Sequence, residues 1–306
     1  MQRIIIALGA GIASAVLFVL PMERTALAAA LGVAAPLPLM IALFGFGQIP
    51  ALGGAAVGVV MIAYLLHPLF AAFFILWIAL PVGWLTHVAL RRQANAGTLA
   101  AWAAGLASAL SLGLLAAAIL RYGSWSAAVN VAADRLQPSM QELIGRSLPA
   151  AISVRDLTHA LMVYVPVMMA AWTVLTLCVN LWAAGRLVAV SHLLPRPWPN
   201  VPDTLRLPRL LALAFAVALG GSLAKGAIGV GSASVAAALG AAFALQGLGA
   251  LHAMTRGAAA RGVILGAAYA LLVALLPWPL LLAAGLGLVD CFTRLPRRPL
   301  IQSINV

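Results

Sequence analysis

The sequence predicts an all-α protein, a polytopic bundle of transmembrane helices with about 8 to 10 membrane segments. Only 8% of the residues are charged, against roughly a quarter in soluble proteins, and 64% are hydrophobic. Between Ile4 and Val289, nine stretches of 15 to 28 residues contain no Asp, Glu, Lys or Arg. Because a helix needs about 20 mostly apolar residues to cross a bilayer, each stretch is a candidate span.

We expect one integral membrane domain over residues 1–306, and the sequence leaves open whether the first five stretches form a unit separate from the last four. The nine stretches are Ile4–Leu20, Ala26–Gly47, Ala51–Leu66, Pro68–Leu90, Thr98–Leu120, Ala160–Gly185, Leu210–Ala224, Ala227–Leu251 and Gly262–Val289.

The first stretch also has features of a secretory signal. It follows the basic start Met1–Arg3 and precedes the small-residue triplet Ala26–Ala28, which is typical of a cleavage site. The second stretch begins directly at that triplet, so we expect the first helix to be retained.

Two longer connections interrupt the apolar pattern. Residues 121–158 have apolar residues at helical spacing on both sides of Pro138, which predicts two short amphipathic helices in an external loop, along the interface or over a cavity. Residues 186–209 are rich in proline, which forbids a continuous helix and predicts an ordered cytoplasmic loop or a stiff linker.

The basic residues flank the apolar stretches, where they orient helices in a membrane. With the N-terminus inside and nine crossings, nine of the 18 Lys and Arg residues face the cytoplasm; a reversal at Pro277 raises this to 12 and brings the C-terminus inside. We therefore prefer two short or re-entrant helices over residues 262–289, with one kinked span as the alternative. The expected membrane anchors are Arg91, Arg92, Arg186, Arg256, Arg261, Arg297 and Arg298.

The net charge of +12 does not indicate nucleic-acid binding, because no soluble module is present to carry a basic face. The two cysteines, Cys178 and Cys291, lie within or at the end of apolar stretches, and so give no support for a disulfide framework or a thiolate metal site.

Polar side chains at membrane depth are costly and indicate function by default. Gln246, Asn180, Gln48 and His252 are therefore the candidate ligand-binding residues. Three of them have a structural alternative: Gln246 can bond a neighbouring helix, Asn180 lies near the cytoplasmic end of its stretch, and His252 falls at headgroup level.

The acidic residues give the opposite indication. All six, Glu23, Asp134, Glu142, Asp156, Asp203 and Asp290, fall in loops or at helix ends, which argues against proton or sodium coupling. No nucleotide-binding loop, His-Glu-x-x-His or Gly-x-Ser-x-Gly motif is present. We expect no enzyme activity, no cofactor and no metal site.

Glycine pairs at a spacing of four allow helix backbones to meet closely. Gly54 with Gly58 and Gly262 with Gly266 have this spacing, and we interpret both as packing within the chain rather than a subunit-docking face.

Four segments of the C-terminal half, about 40 residues as a set, resemble the YybS-like membrane proteins of bacteria. They are Asn180-Leu-Trp-Ala-Ala-Gly-Arg186, Leu194-Pro-Arg-Pro-Trp-Pro199, Phe243-Ala-Leu-Gln-Gly-Leu-Gly-Ala-Leu-His252 and Gly287-Leu-Val-Asp-Cys-Phe-Thr-Arg294. That family is a domain of unknown function and is distantly similar to the substrate-binding membrane subunits of energy-coupling-factor transporters. The resemblance implies a multi-pass protein of the bacterial cytoplasmic (inner) membrane.

Two functions agree with these features. The first is a substrate-binding or permease-like component that holds a small solute and is energised by ATPase and coupling subunits. The second is a structural or scaffolding protein of envelope assembly, whose long connections dock other proteins. A cavity lined by Gln246 and Asn180 would favour the first, and a dry bundle with both amides paired between helices would favour the second.

Overall fold

The computed structural model describes residues 1–23, 25–91, 94–144, 153–194 and 198–296. Regular secondary structure in these ranges is helical, with no β-strand. The α-helices are α1 (Gln2–Val19), α2 (Ala26–Gly32), α3 (Leu37–Phe46), α4 (Gln48–Leu65), α5 (Pro68–Phe74), α6 (Leu80–Ala89), α7 (Ala96–Tyr122), α8 (Trp125–Ile144), α9 (Val154–Val190), α10 (Val201–Thr204), α11 (Arg209–Gly221), α12 (Gly226–Met254), α13 (Arg261–Ala274) and α14 (Trp278–Thr293). A 3-10 helix at Leu20–Glu23 extends α1, and a π-helix at Ile75–Ala79 joins α5 to α6.

Among the described residues, seven helical segments are long and apolar enough to cross a bilayer. They match seven of the nine stretches expected from the sequence, which confirms a helical integral membrane protein. They are Gln2–Glu23, Ala26–Phe46, Gln48–Leu65, Pro68–Ala89, Ala96–Tyr122, Val154–Val190 and Gly226–Met254.

The expected count of about 8 to 10 segments is not confirmed, because the other two stretches form shorter helices. The stretch Leu210–Ala224 gives α11, of 13 residues. The stretch Gly262–Val289 gives α13 and α14, of 14 and 16 residues. At 1.5 Å per residue these two helices are about 21 and 24 Å long, less than a hydrocarbon core of about 30 Å.

The break between α13 and α14 lies at Pro277, the position expected from the sequence. The helix ends at Ala274, the amide of Trp278 donates to the carbonyl of Leu275, and α14 begins with Pro279 in its first turn. Proline is tolerated there because the first-turn amides have no helical acceptor. The chain therefore forms two short helices, while the predicted return of the C-terminus to the cytoplasm stays a prediction.

The connection over residues 121–158 differs from the expectation. The two short helices predicted on either side of Pro138 are instead one helix, α8, with Pro138 inside it. Proline removes one backbone hydrogen bond, which bends a helix but need not divide it. The prediction of two helices was wrong because a single proline was treated as a terminator.

Contacts divide the chain into two compact units, and the single domain expected over residues 1–306 stays a prediction. Unit 1 comprises residues 1–103, 173–208 and 242–306, and unit 2 comprises residues 104–172 and 209–241. Three helices, α7, α9 and α12, contribute residues to both units.

Close helix packing in unit 1 depends on glycine. A Cβ placed on Gly11 of α1 would overlap the carbonyl oxygen of Gly54 in α4, and one on Gly58 would press on the ring of Phe74. The Gly54–Gly58 pair therefore packs within the chain, as expected. The other pair does not, because a Cβ at Gly262 or Gly266 meets nothing within 4 Å.

Unit 2 is held by the same kind of contact and by one polar pair. A Cβ on Gly231 of α12 would lie 3.1 Å from the Leu112 side chain of α7. His159 Nε2 lies 3.1 Å from Asn130 Oδ1, which links α9 to α8. The first contact joins α12 to α7, and the second places the amphipathic helix α8 against α9.

Candidate functional site

A cavity of about 430 Å³ lies within unit 1. Five parts of the chain line it: the start of α7, the middle of α9, the segment before α11, the last turns of α12, and α13. The lining residues are Ala96, Leu99, Ala100, Cys178, Val179, Leu181, Trp182, Trp198, Val201, Pro202, Leu205, Leu245, Leu248, Gly249, His252 and Tyr269.

Residues 198–208, which we call the strap, form one wall of the cavity. They contain the four-residue helix α10 and contribute Trp198, Val201, Pro202 and Leu205 to the lining. The Pro-rich connection is thus packed against helices, which agrees with an ordered loop; Pro195, Arg196 and Pro197 lie outside the described residues.

Side chains of α12 and the loop that follows it fix the strap in two places. Arg256 Nη1 lies 2.6 Å from Asp203 Oδ1, and Leu207 donates its backbone amide to Gln246 Oε1 at 2.9 Å. The Cys291 thiol of α14 adds a weaker contact to the Leu207 carbonyl at 3.6 Å. The strap is therefore held by hydrogen bonds and one ion pair rather than by apolar contact alone.

Glycines let the strap approach two helices closely. A Cβ on Gly97 at the start of α7 would overlap the backbone of Arg206, and one on Gly185 in α9 would overlap the ring of Trp198. The Trp198 ring also meets the Phe44 ring edge to face, with centroids 5.5 Å apart. Small residues at these two positions allow the strap to cover the cavity.

Gln246 is fully buried and uses its amide within the protein. Its Nε2 donates to Asp290 Oδ2 at 2.8 Å, and its Oε1 accepts from the Leu207 amide. The side chain thereby joins α12, α14 and the strap. It does not line the cavity, although Leu245 and Gly249 beside it do.

Asn180 is also buried and engaged. Its Nδ2 donates to the carbonyls of Val33 at 2.7 Å and Thr176 at 2.8 Å. Val33 lies at the break between α2 and α3, where the amide of Leu37 bonds to Ala34 rather than to Val33. Asn180 therefore satisfies a carbonyl that the break leaves without a helical donor, and it does not line the cavity.

His252 is the one candidate from the sequence that lines the cavity. Its Nε2 lies 2.8 Å from the hydroxyl of Tyr269, and its backbone carbonyl accepts from Arg261 Nη1 at 3.1 Å. Gln48, the fourth candidate, is exposed at the first residue of α4 and is not part of the lining.

The predicted anchors fall into three groups. Arg91 and Arg186 are exposed, as expected for residues at the ends of spans. Arg256 and Arg261 are partly buried and bond to protein atoms beside the cavity. Arg92, Arg297 and Arg298 lie outside the described residues.

Asp290 is a buried carboxylate, a feature that its expected position at a helix end did not predict. It lies in the last turn of α14, at a helix end as predicted, but is only 1% exposed and accepts a hydrogen bond from Gln246. The position of a residue along an apolar stretch does not reveal whether a neighbouring helix covers its side chain. Because Asp290 is buried, the positions of the acidic residues no longer argue against ion coupling.

Sequence reasoning also missed Trp182 and Trp198 as part of the site. Trp182 follows Asn180 closely and Trp198 lies in the Pro-rich connection, but aromatic residues are common in apolar helices and do not by themselves indicate a site. Among the described residues, no group of three or more His, Cys, Asp or Glu side chains could hold a metal ion.

Comparisons of the chain with models of protein families, with curated proteins and with solved structures find no match.

Proposed function

We propose that this integral membrane protein is the solute-binding component of a small-solute transporter in a bacterial cytoplasmic membrane, energised by partner subunits. The observation that carries the proposal is the cavity of about 430 Å³ within unit 1. Ligand sites for small molecules fall between about 300 and 1,000 Å³, and they are mostly apolar with a few converging polar groups. The cavity has these properties, with His252 and Tyr269 as its polar pair.

The segments that resemble the YybS-like family converge on this cavity. Residues 180–186 contribute Trp182, residues 194–199 contribute Trp198, and residues 243–252 contribute His252 together with three neighbours. The fourth segment, residues 287–294, contains Asp290, which bonds to Gln246 behind the wall. This convergence supports a shared binding role for segments that are far apart in the sequence.

Partner subunits supply the energy in this proposal. The sequence has no nucleotide-binding loop, so ATP hydrolysis would be carried out by other proteins. The resemblance to substrate-binding subunits of energy-coupling-factor transporters supports the same division of labour.

A scaffolding role in envelope assembly is the second candidate, and one observation favours it. The amides of Gln246 and Asn180, two of the side chains expected to contact a solute, bond to protein atoms instead. In that case the long connections would dock other proteins and the cavity would hold lipid.

Affinity purification of the tagged protein in mild detergent, with mass spectrometry of co-purifying proteins, separates the two functions. Recovery of an ATPase pair with a membrane coupling subunit supports the transporter proposal. Recovery of envelope-assembly proteins without an ATPase supports the scaffold and counts against the transporter. An unrelated polytopic protein with the same tag controls for non-specific capture.

A further inference from the structure

The cavity in unit 1 combines an apolar wall with one polar position. Leu99, Val179, Trp182, Leu245 and Leu248 present only hydrocarbon and aromatic surface apart from one indole N–H. His252 and Tyr269 contribute an imidazole and a phenol that lie 2.8 Å apart. A ligand that fills this space would therefore need an apolar body and a single polar group.

The polar position lies in a positive field. Arg256 and Arg261 both lie near enough for their charges to act on the His252 ring. Asp203 compensates the charge of Arg256 through the ion pair at 2.6 Å. Among the described residues, Arg261 forms no ion pair, and its hydrogen bond to the His252 carbonyl uses one of its five N–H donors. Arg261 is not one of the lining residues, but its guanidinium bonds the backbone of His252, which is, and among the described residues no carboxylate compensates its charge.

Hydrogen-bond donors are available at the same place. When His252 Nε2 carries the proton and donates to the Tyr269 oxygen, the phenol keeps its own O–H for a ligand. The remaining donors of Arg261 suit an oxyanion, since guanidinium groups bind carboxylate and phosphate oxygens through charge-assisted hydrogen bonds.

We propose that the cavity binds an amphipathic anion, with its apolar chain between Trp182 and Leu248 and its phosphate or carboxylate at Tyr269, His252 and Arg261. This inference rests on the proposed solute-binding function and names the chemical class of the solute. A cationic headgroup is disfavoured because the charge of Arg261 would repel it, and the lining residues include no carboxylate to pair with it.

Contact quenching of tryptophan fluorescence tests the inference with two probes that share one tail. The full-length protein in phosphatidylcholine nanodiscs is titrated with ω-bromododecyl phosphate and, separately, with ω-bromododecanol. Bromine quenches the Trp182 and Trp198 rings when the tail occupies the cavity. We expect saturable quenching by both probes. The phosphate should reach half-saturation at no more than about one tenth of the concentration that the alcohol needs, because charge-assisted hydrogen bonds strengthen its binding.

Variants locate the effect. The double variant Trp182→Phe, Trp198→Phe should lose the saturable component and keep only the linear quenching by lipid-dissolved probe. Arg261→Gln should remove most of the preference for the phosphate, whereas Arg155→Gln, which changes an exposed arginine at the start of α9, should preserve it. Tyr269→Phe removes one hydroxyl and provides a second test if Arg261→Gln does not fold.

The outcomes separate this inference from the function on which it rests. Saturable quenching with equal affinity for both probes overturns the anionic class and leaves solute binding intact. Quenching without a saturable component for either probe overturns both. A preference for the phosphate that persists in Arg261→Gln and in Tyr269→Phe overturns the assigned binding position.

Discussion

Gln246 Nε2 donates a hydrogen bond to Asp290 Oδ2 at 2.8 Å, and neither residue is more than 1% exposed. The same amide accepts the Leu207 N–H with its oxygen. One side chain of α12 thereby connects α14 to the strap that forms one wall of the cavity. Loss of a hydrogen-bond partner is costly for a buried polar group. The Gln246 amide therefore stabilises both the contact between α12 and α14 and the position of the strap.

Loss of this amide should destabilise unit 1. In Gln246→Ala, the Leu207 amide and the Asp290 carboxyl each lose a buried partner, and we expect a loss of about 1–3 kcal/mol or more in the free energy of unfolding. Unfolding by sodium dodecyl sulfate in mixed micelles measures it. Gln48→Ala is the matched control, because Gln48 is exposed at the start of α4. Equal stability of the two variants would contradict the bridging role.

Two glycines of α1 test whether the first helix is a permanent part of the bundle. Gly11→Ala should destabilise the protein, because its Cβ would overlap the Gly54 carbonyl and push α1 from α4. Gly9→Ala should be neutral, since its Cβ meets nothing within 4 Å. Thermal denaturation in detergent compares them. If neither change has an effect and the purified chain begins near Ala29, the first helix is cleaved and the expectation of retention fails.

The contact between α7 and the strap predicts a change in protease sensitivity. A Cβ at Gly97 would displace the Arg206 backbone, so Gly97→Ala should raise the rate of tryptic cleavage after Arg206 several-fold. A Cβ at Gly105 in the same helix meets nothing within 4 Å, so the Gly105→Ala variant should be cleaved at the same rate as the unmodified protein. The fragments are identified by mass spectrometry. Identical cleavage rates in both variants would show that the strap does not depend on this contact.

The break at Leu275–Pro277 predicts the side on which the chain ends. If α13 and α14 reverse at this point, a reporter fused after Val306 should be active in the cytoplasm, in agreement with the excess of cations expected there. The same reporter fused between Gly257 and Ala260 marks the side of the membrane on which α13 begins, and a reversal places both reporters on that side. Activity of the two reporters on opposite sides would establish a single net crossing and reject the reversal.

The membrane class and seven of the nine predicted spans agree with the structure, because hydrophobicity and length largely determine such helices. The sequence did not predict that His252 meets Tyr269, since 17 residues and a turn separate them and no helical spacing relates the two. The burial of Asp290 was missed for a similar reason: its partner Gln246 is 44 residues away, on another helix. Side-chain polarity identified Gln246 and Asn180 as important but could not separate structural from ligand-binding roles.

Native mass spectrometry of the purified protein, released from detergent, tests the central claim that the cavity of unit 1 holds a small solute. We predict a bound small molecule on the unmodified protein and on Val60→Trp, which alters an exposed valine of α4. The same molecule should be absent from Val179→Trp, in which the indole fills the cavity from α9. An unmodified protein without any bound molecule, or a molecule retained equally by Val179→Trp, would contradict the claim.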